Sequence, residues 1–160
     1  MKTATVKELK QELNTRSHKE LLELCLRLSR FKKENKELLT YLLFEADDET
    51  AFVEGVKREI ELEFKGINTS SYYFMKKSVR KILRNTKKYI RYSKKKETEV
   101  ELLIYFCAEL IKMKPSINNN TVLNNLYKRQ IASIKKAIAT LHEDLQYDYE
   151  IELSEIGKIN

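Results

Sequence analysis

Apolar residues recur along this chain at α-helical spacing, and capping or turn residues punctuate the runs. Val6, Leu9 and Leu13 predict a short first helix that stops near Asn14. Ser17 and Glu20 have the spacing of a capping box, and Leu21, Leu22, Leu24, Cys25, Leu28 and Phe31 follow on one broad face. A third helix is predicted from about residue 34 to 46, with Leu38, Leu39, Leu42 and Leu43 inward. Asp47 and Asp48 cap a fourth, which carries Phe52, Val53, Val56, Ile60 and Phe64 up to Gly66, a residue suited to a left-handed C-terminal cap. Asn68-Thr69-Ser70-Ser71 restarts the chain into a long fifth helix over about 71–95. The sixth, about 97–114, is the most apolar: Val100, Leu103, Ile104, Phe106, Cys107, Leu110 and Ile111 cover much of its circumference, which places it at the centre. Pro115 and Asn118-Asn119-Asn120 end it, and a seventh runs over about 121–145 with Leu123, Leu126, Tyr127, Ile134, Ile138 and Leu141 at helical spacing.

The C-terminal stretch follows another rhythm. Tyr147, Tyr149, Ile151 and Leu153 alternate with Asp148, Glu150, Glu152 and Ser154, a period of two that reads as a half-buried strand with no sheet to join. It suits an extended tail packed across helices, a ribbon pairing with a second copy, or a frayed helix end. The expected fold is all-α: a single domain of about seven antiparallel helices over 1–146, as a compact bundle or short stacked helical hairpins, with an extended acidic tail or short strand over 147–160. No internal repeat is visible, which favours the bundle.

Composition adds bounds. The 160 residues are 42% apolar, enough for a core, and only four are Gly or Pro, so no stretch reads as a linker. No apolar run is long enough to span a membrane, and the N-terminus turns polar at once, unlike a signal peptide. Cys25 and Cys107 both lie in apolar helical patterns, which predicts two buried thiols and a cytoplasmic protein.

Charge is the strongest signal. Residues 64–96 hold twelve Lys or Arg and no acid, so the remainder of a chain of net charge +7 sums to −5. On a helical wheel Met75, Val79, Ile82, Leu83, Thr86, Tyr89 and Ile90 make one side of the fifth helix. Lys77, Lys81, Arg84, Lys88, Arg91 and Lys95 form the opposite stripe, flanked by Lys76, Arg80, Lys87 and Lys94. Like charges one turn apart repel, so something should offset them. The internal answer is masking, by the eight acids of residues 45–63 or by the acidic residues 143–155. The external answer is a polyanion, because six helical turns are long enough to follow several phosphates. Tyr72, Tyr73 and Tyr92 near the helix ends suit packing better than base stacking, and no helix-turn-helix or zinc-finger spacing supports sequence readout. A membrane partner is disfavoured, because the apolar face that would enter lipid is needed by the core.

Catalytic chemistry is sparse. His18 and His142 stand alone near helix ends without metal-ligand spacing around them, and Gly55, Gly66 and Gly157 form no phosphate loop. Of Glu59, Glu61 and Glu63, only Glu59 and Glu63 share a helical face, and no Glu-x-x-His pair accompanies them. No catalytic, cofactor-binding or metal-ligating residue is expected, and no small-molecule ligand is evident.

The run Tyr41-Leu42-Leu43-Phe44, the acidic helix ending at Phe64-Lys65-Gly66, and Lys76-Lys77-Ser78-Val79-Arg80-Lys81-Ile82-Leu83 resemble a bacterial all-helical family of unknown function over about residues 5–110. The resemblance implies a helical domain and carries over no site residue. The expectation is a non-enzymatic helical interaction module that binds a protein partner or itself and presents Lys77, Lys81, Arg84, Lys88, Arg91 and Lys95. The alternative is nucleic-acid binding without sequence preference through the same face.

Overall fold

A computed structural model describes residues 1–158. Among them lie eight α-helices and no strand: α1 Val6–Leu13, α2 His18–Phe31, α3 Lys33–Thr40, α4 Glu49–Lys65, α5 Tyr72–Ser93, α6 Lys96–Lys112, α7 Thr121–Ile138 and α8 Glu143–Lys158. A π-helical turn at Tyr41–Glu45 and a 3-10 turn at Ile117–Asn119 complete the list. The all-α expectation holds. The chain falls into two compact units, residues 1–44 and a second beginning at Glu45. Composition hides this division because it falls within the π-helical turn, where no Gly or Pro marks it.

The N-terminal unit is built from local signals. Thr5 and Glu8 form a capping box on α1, and Ser17 and Glu20 form the predicted one on α2: each hydroxyl accepts the N3 amide at 3.3 Å, while the carboxylate accepts the cap residue's own amide. Those backbone hydrogen bonds hold both carboxyls below their usual range. Helices α2 and α3 pack together across the extended residue Lys32, and Asn35 Nδ2 donates to the Leu28 carbonyl at 2.9 Å. Yet no residue of α1, α2 or α3 is buried. Val6, Leu9, Leu13, Leu22, Leu24, Leu28, Leu42 and Leu43 are all exposed, and Phe31 is 77% exposed. The expected inward face of α2 thus lies open, as do Leu42 and Leu43. Cys25 is exposed, contrary to its predicted burial. An apolar stripe fixes which residues share a face, not whether anything covers that face.

The C-terminal unit has the core. Helix α6 sits at its centre as expected, packed by α4, α5, α7 and α8. It buries Val100, Leu102, Leu103, Ile104, Phe106, Cys107, Leu110 and Ile111, with Phe106 beside the Phe64 ring at 5.5 Å. Each large aliphatic residue so buried contributes about 1.5–3 kcal/mol. Helix α4 runs antiparallel to α5, since Glu63 lies beside Asn85, Glu59 beside Tyr89 and Glu49 beside Ser93.

The predicted seventh helix ends early and the predicted tail is helical. Thr140 Oγ1 donates to the Ala137 carbonyl at 2.7 Å and closes α7; Gln146 Nε2 reaches back to the Leu141 carbonyl at 2.7 Å as α8 begins. The period-two pattern misleads because Tyr147 and Ile151 point to solvent, while Leu145, Tyr149, Leu153 and Ile156 turn inward at helical spacing. This removes the strand and ribbon-pairing readings up to residue 158; the last two residues of the predicted 147–160 tail lie outside the described residues.

Gly66 ends α4 at φ −84°, not in the left-handed conformation predicted for it. The residue that adopts that conformation is Lys94, φ 58°, whose N–H caps α5 on the Ile90 carbonyl at 2.9 Å. A side chain there is strained, so Lys94→Gly should raise unfolding free energy by about 0.5–1 kcal/mol in urea titrations, the relief of strain outweighing the added chain entropy. The two thiols should also separate chemically. Burial pushes the Cys107 thiol up to about 12, so at pH 8 it stays protonated and shielded, while Cys25 is open. A thiol-titrating reagent should therefore count one reactive cysteine per native chain and two in denaturant.

A cationic groove as the candidate functional site

Helix α5 is held by its apolar side: Met75, Val79, Ile82 and Thr86 are buried, and the Thr86 hydroxyl is satisfied by the Ile82 carbonyl at 2.9 Å. That docking leaves the cationic stripe between two neighbours of opposite character. On one side lies α4 with its row of carboxylates. Lys95 Nζ stands 3.2 Å from Glu49, and Lys81 Nζ is 4.0 Å from Glu63. Tyr89 Oη donates to Glu59 at 2.9 Å, and Lys88 lies over the Tyr89 ring at 4.7 Å. Glu49 also accepts the hydroxyls of Ser93 and Thr98, which ties the start of α4 to the α5–α6 corner. This is the masking by residues 45–63 that the charge pattern predicted, and it reaches only part of the stripe.

The acidic residues 143–155, the other half of the predicted masking, lie on a helix packed mainly elsewhere. Helix α8 packs on α6 and α7, and its Tyr149 and Glu152 stand near Lys57 and Glu101. Burial pushes the Tyr149 hydroxyl up to about 12, with Glu101 and Glu97 adding to the shift, and burial likewise raises the Glu152 carboxyl.

On the far side of α5 the stripe is open. Arg80, Arg84, Lys87 and Arg91 line a groove whose opposite wall is α7, contributing Arg129, Gln130 and Ser133, with Leu83 and Leu126 completing the lining. The groove encloses about 550 Å³. All five cations are exposed, and among the described residues none of them has a carboxylate within ion-pairing distance. At its base Gln130 is only 5% exposed: its Nε2 donates to the Leu126 carbonyl at 3.2 Å, and its Oε1 is buried with no partner.

The six predicted site residues therefore divide. Arg84 and Arg91 lie in the groove; Lys81, Lys88 and Lys95 lie toward α4; Lys77 is exposed and lines neither side. Arg80 and Lys87, read from the sequence as flanks, belong to the groove, and Arg129 was not anticipated. A signal for it exists. Residues 110–142 carry six Lys or Arg and no acid, a second acid-free segment less dense than the first and therefore overlooked.

Among the described residues no three His, Cys, Asp or Glu side chains lie together as a metal-binding group, and no helix is long and apolar enough to cross a membrane. No family model, curated protein or solved structure matches this chain.

Proposed function

We propose that this protein is a non-enzymatic interaction module whose groove between α5 and α7 takes the phosphate backbone of a nucleic acid without reading sequence. One observation carries the reading: two acid-free helices flank a groove with four Arg and one Lys, and among the described residues no carboxylate pairs with them. Guanidinium groups suit phosphate because their donor fork matches its oxygens two at a time. Exposed arginines at this density repel one another, and a polyanion relieves that repulsion while releasing counterions. Nothing in the groove resembles a base-reading helix in a major groove, which fits binding indifferent to sequence.

Anisotropy titrations with random-sequence oligonucleotides across a salt series test this. Log K should fall linearly with log salt, and replacing Arg84, Arg91 and Arg129 with Ala should lower the slope by roughly 2, at about 0.7 per phosphate contact for a single strand. Lys95→Ala, which removes a cation already engaged by Glu49, should leave the slope nearly unchanged. A flat salt dependence in the unmodified protein would remove the reading.

A second reading, binding to a protein partner or to itself, draws on the N-terminal unit. Helices α1 and α2 present Val6, Leu9, Leu13, Leu22, Leu24, Leu28 and Phe31 to solvent, more apolar surface than a solitary helical unit ordinarily shows. Sedimentation over a concentration series should reveal association that Leu28→Glu with Phe31→Glu weakens at least tenfold, about 1.4 kcal/mol. A monomer at every concentration would dismiss the self-association form.

A further inference from the structure

The cationic rim accounts for an anion, but the base of the groove asks for something a phosphate diester does not have. Gln130 lies on α7 with its amide nitrogen donating to the Leu126 carbonyl. Turning the amide over would set oxygen against that carbonyl oxygen, so the carbonyl fixes the orientation and leaves Oε1 as the end without a partner. A buried acceptor with nothing to accept is uncommon, and each instance calls for an explanation. The arginines around it do not supply one: no hydrogen bond joins any of them to Gln130.

The ligand chemistry that answers the whole groove therefore combines three features. It has several negative charges for Arg80, Arg84, Lys87, Arg91 and Arg129, an N–H or O–H donor for Gln130 Oε1, and a flat or apolar part to lie over Leu83 and Leu126. A phosphodiester alone supplies only the first. A duplex supplies the first on its outside, presents its remaining N–H donors only at the edges inside its grooves, and keeps its flat faces stacked away. Unpaired nucleotides supply all three, since every unpaired base exposes an N–H donor and a flat face. The groove's volume, about 550 Å³, has room for a nucleotide between its walls.

We infer that the groove between α5 and α7 accepts unpaired nucleotides, with a base donor seated on Gln130 Oε1 above Leu83 and Leu126 and the flanking phosphates along the arginine rim. The inference rests on the polyanion reading of the same groove and narrows it to single strands. Oε1 itself is shielded from solvent, so a donor reaches it only when neighbouring side chains shift, and the exposed Arg and Lys side chains of the lining move on the nanosecond scale.

Three fluorescent probes matched in phosphate number test it with the full chain: a twelve-residue oligonucleotide of mixed sequence, an abasic strand with the same phosphodiester backbone, and a short hairpin duplex. The nucleotide strand should bind about five- to tenfold tighter than the abasic strand and the duplex, the size of one hydrogen bond to a buried acceptor plus contacts to one base. Gln130→Leu, close in volume and without the orphan acceptor, should bring the nucleotide strand down to the affinity of the abasic strand and leave the abasic strand unchanged. Circular dichroism checks that the variant is folded; if it is not, the three-probe comparison on the unmodified protein decides alone. Equal affinity for the nucleotide and abasic strands, or for strand and duplex, would overturn this inference while the polyanion reading stands. Undiminished strand preference in folded Gln130→Leu would overturn the assignment to Gln130. Binding to none of the three would overturn both readings together.

Discussion

Burial of α6 governs the rest of the C-terminal unit. The helix is apolar around most of its circumference, with Glu97, Glu101 and Lys112 on the polar remainder, and four helices pack against it to keep water from the apolar part. Each of the four has one apolar face to give, and giving it fixes which way its polar face turns. Once Met75, Val79 and Ile82 are committed to the core, the cations of α5 cannot rotate away from its neighbours. The acid-rich α4 falls on one side of α5 and the acid-free α7 on the other. Charge separation across the surface of this unit is thus a consequence of hydrophobic geometry.

That geometry also explains why the stripe is half neutralised. Helix α4 reaches only those cations that lean toward it, and its carboxylates are further occupied by hydroxyls: Glu59 by Tyr89, Glu49 by Ser93 and Thr98, and Glu63 by the Asn85 amide. Exposed pairs such as Lys81 with Glu63 contribute little to stability, about 0–1 kcal/mol, so α4 serves more to direct the field than to lock the helix. With that edge screened at short range, the α7 side gathers the cations left unpaired among the described residues: Arg129 joins Arg80, Arg84, Lys87 and Arg91 there, and no acid is among the lining residues.

How much of this the chain announces in advance depends on range. Signals within one helical turn are reliable: the Ser17–Glu20 capping box, the Asp48 cap, whose carboxylate accepts the Ala51 amide at 3.0 Å, and the broad apolar face of α6 are all realised. Signals that depend on what a face meets are not. The leucines of α2 are identical in pattern to a core face and stay uncovered, so Cys25 among them is open while Cys107, in a similar pattern on α6, is sealed. Alternation at Tyr147–Ser154 could not be told from a strand until packing revealed which residues turn inward. For the groove, the α5 cations were legible because they are dense on one helix. Arg129, Gln130 and Leu126 were not, because they join the site only through the packing of α5 and α7 around α6. A wheel drawn for one helix cannot report the wall opposite it.

The two units also differ in what sustains their helices. Peptide helices shorter than about 12–15 residues are marginal in water, and tertiary cover of an apolar face normally makes up the deficit. Helix α1 has eight residues and α3 has eight, and neither has a buried residue. Their support includes a capping box on α1, the ion pair of Arg16 with Glu12 beyond its end, the Lys33–Glu37 pair within α3, and the contact of α3 with α2. Caps and exposed ion pairs together supply about 1–2 kcal/mol, whereas covering one leucine of α2 would supply as much alone. Covering Val6, Leu9, Leu28 and Phe31 would therefore dominate the energetic balance of the N-terminal unit, whereas the C-terminal unit has already buried its own core and leaves only scattered apolar side chains such as Leu62 and Ile151 exposed.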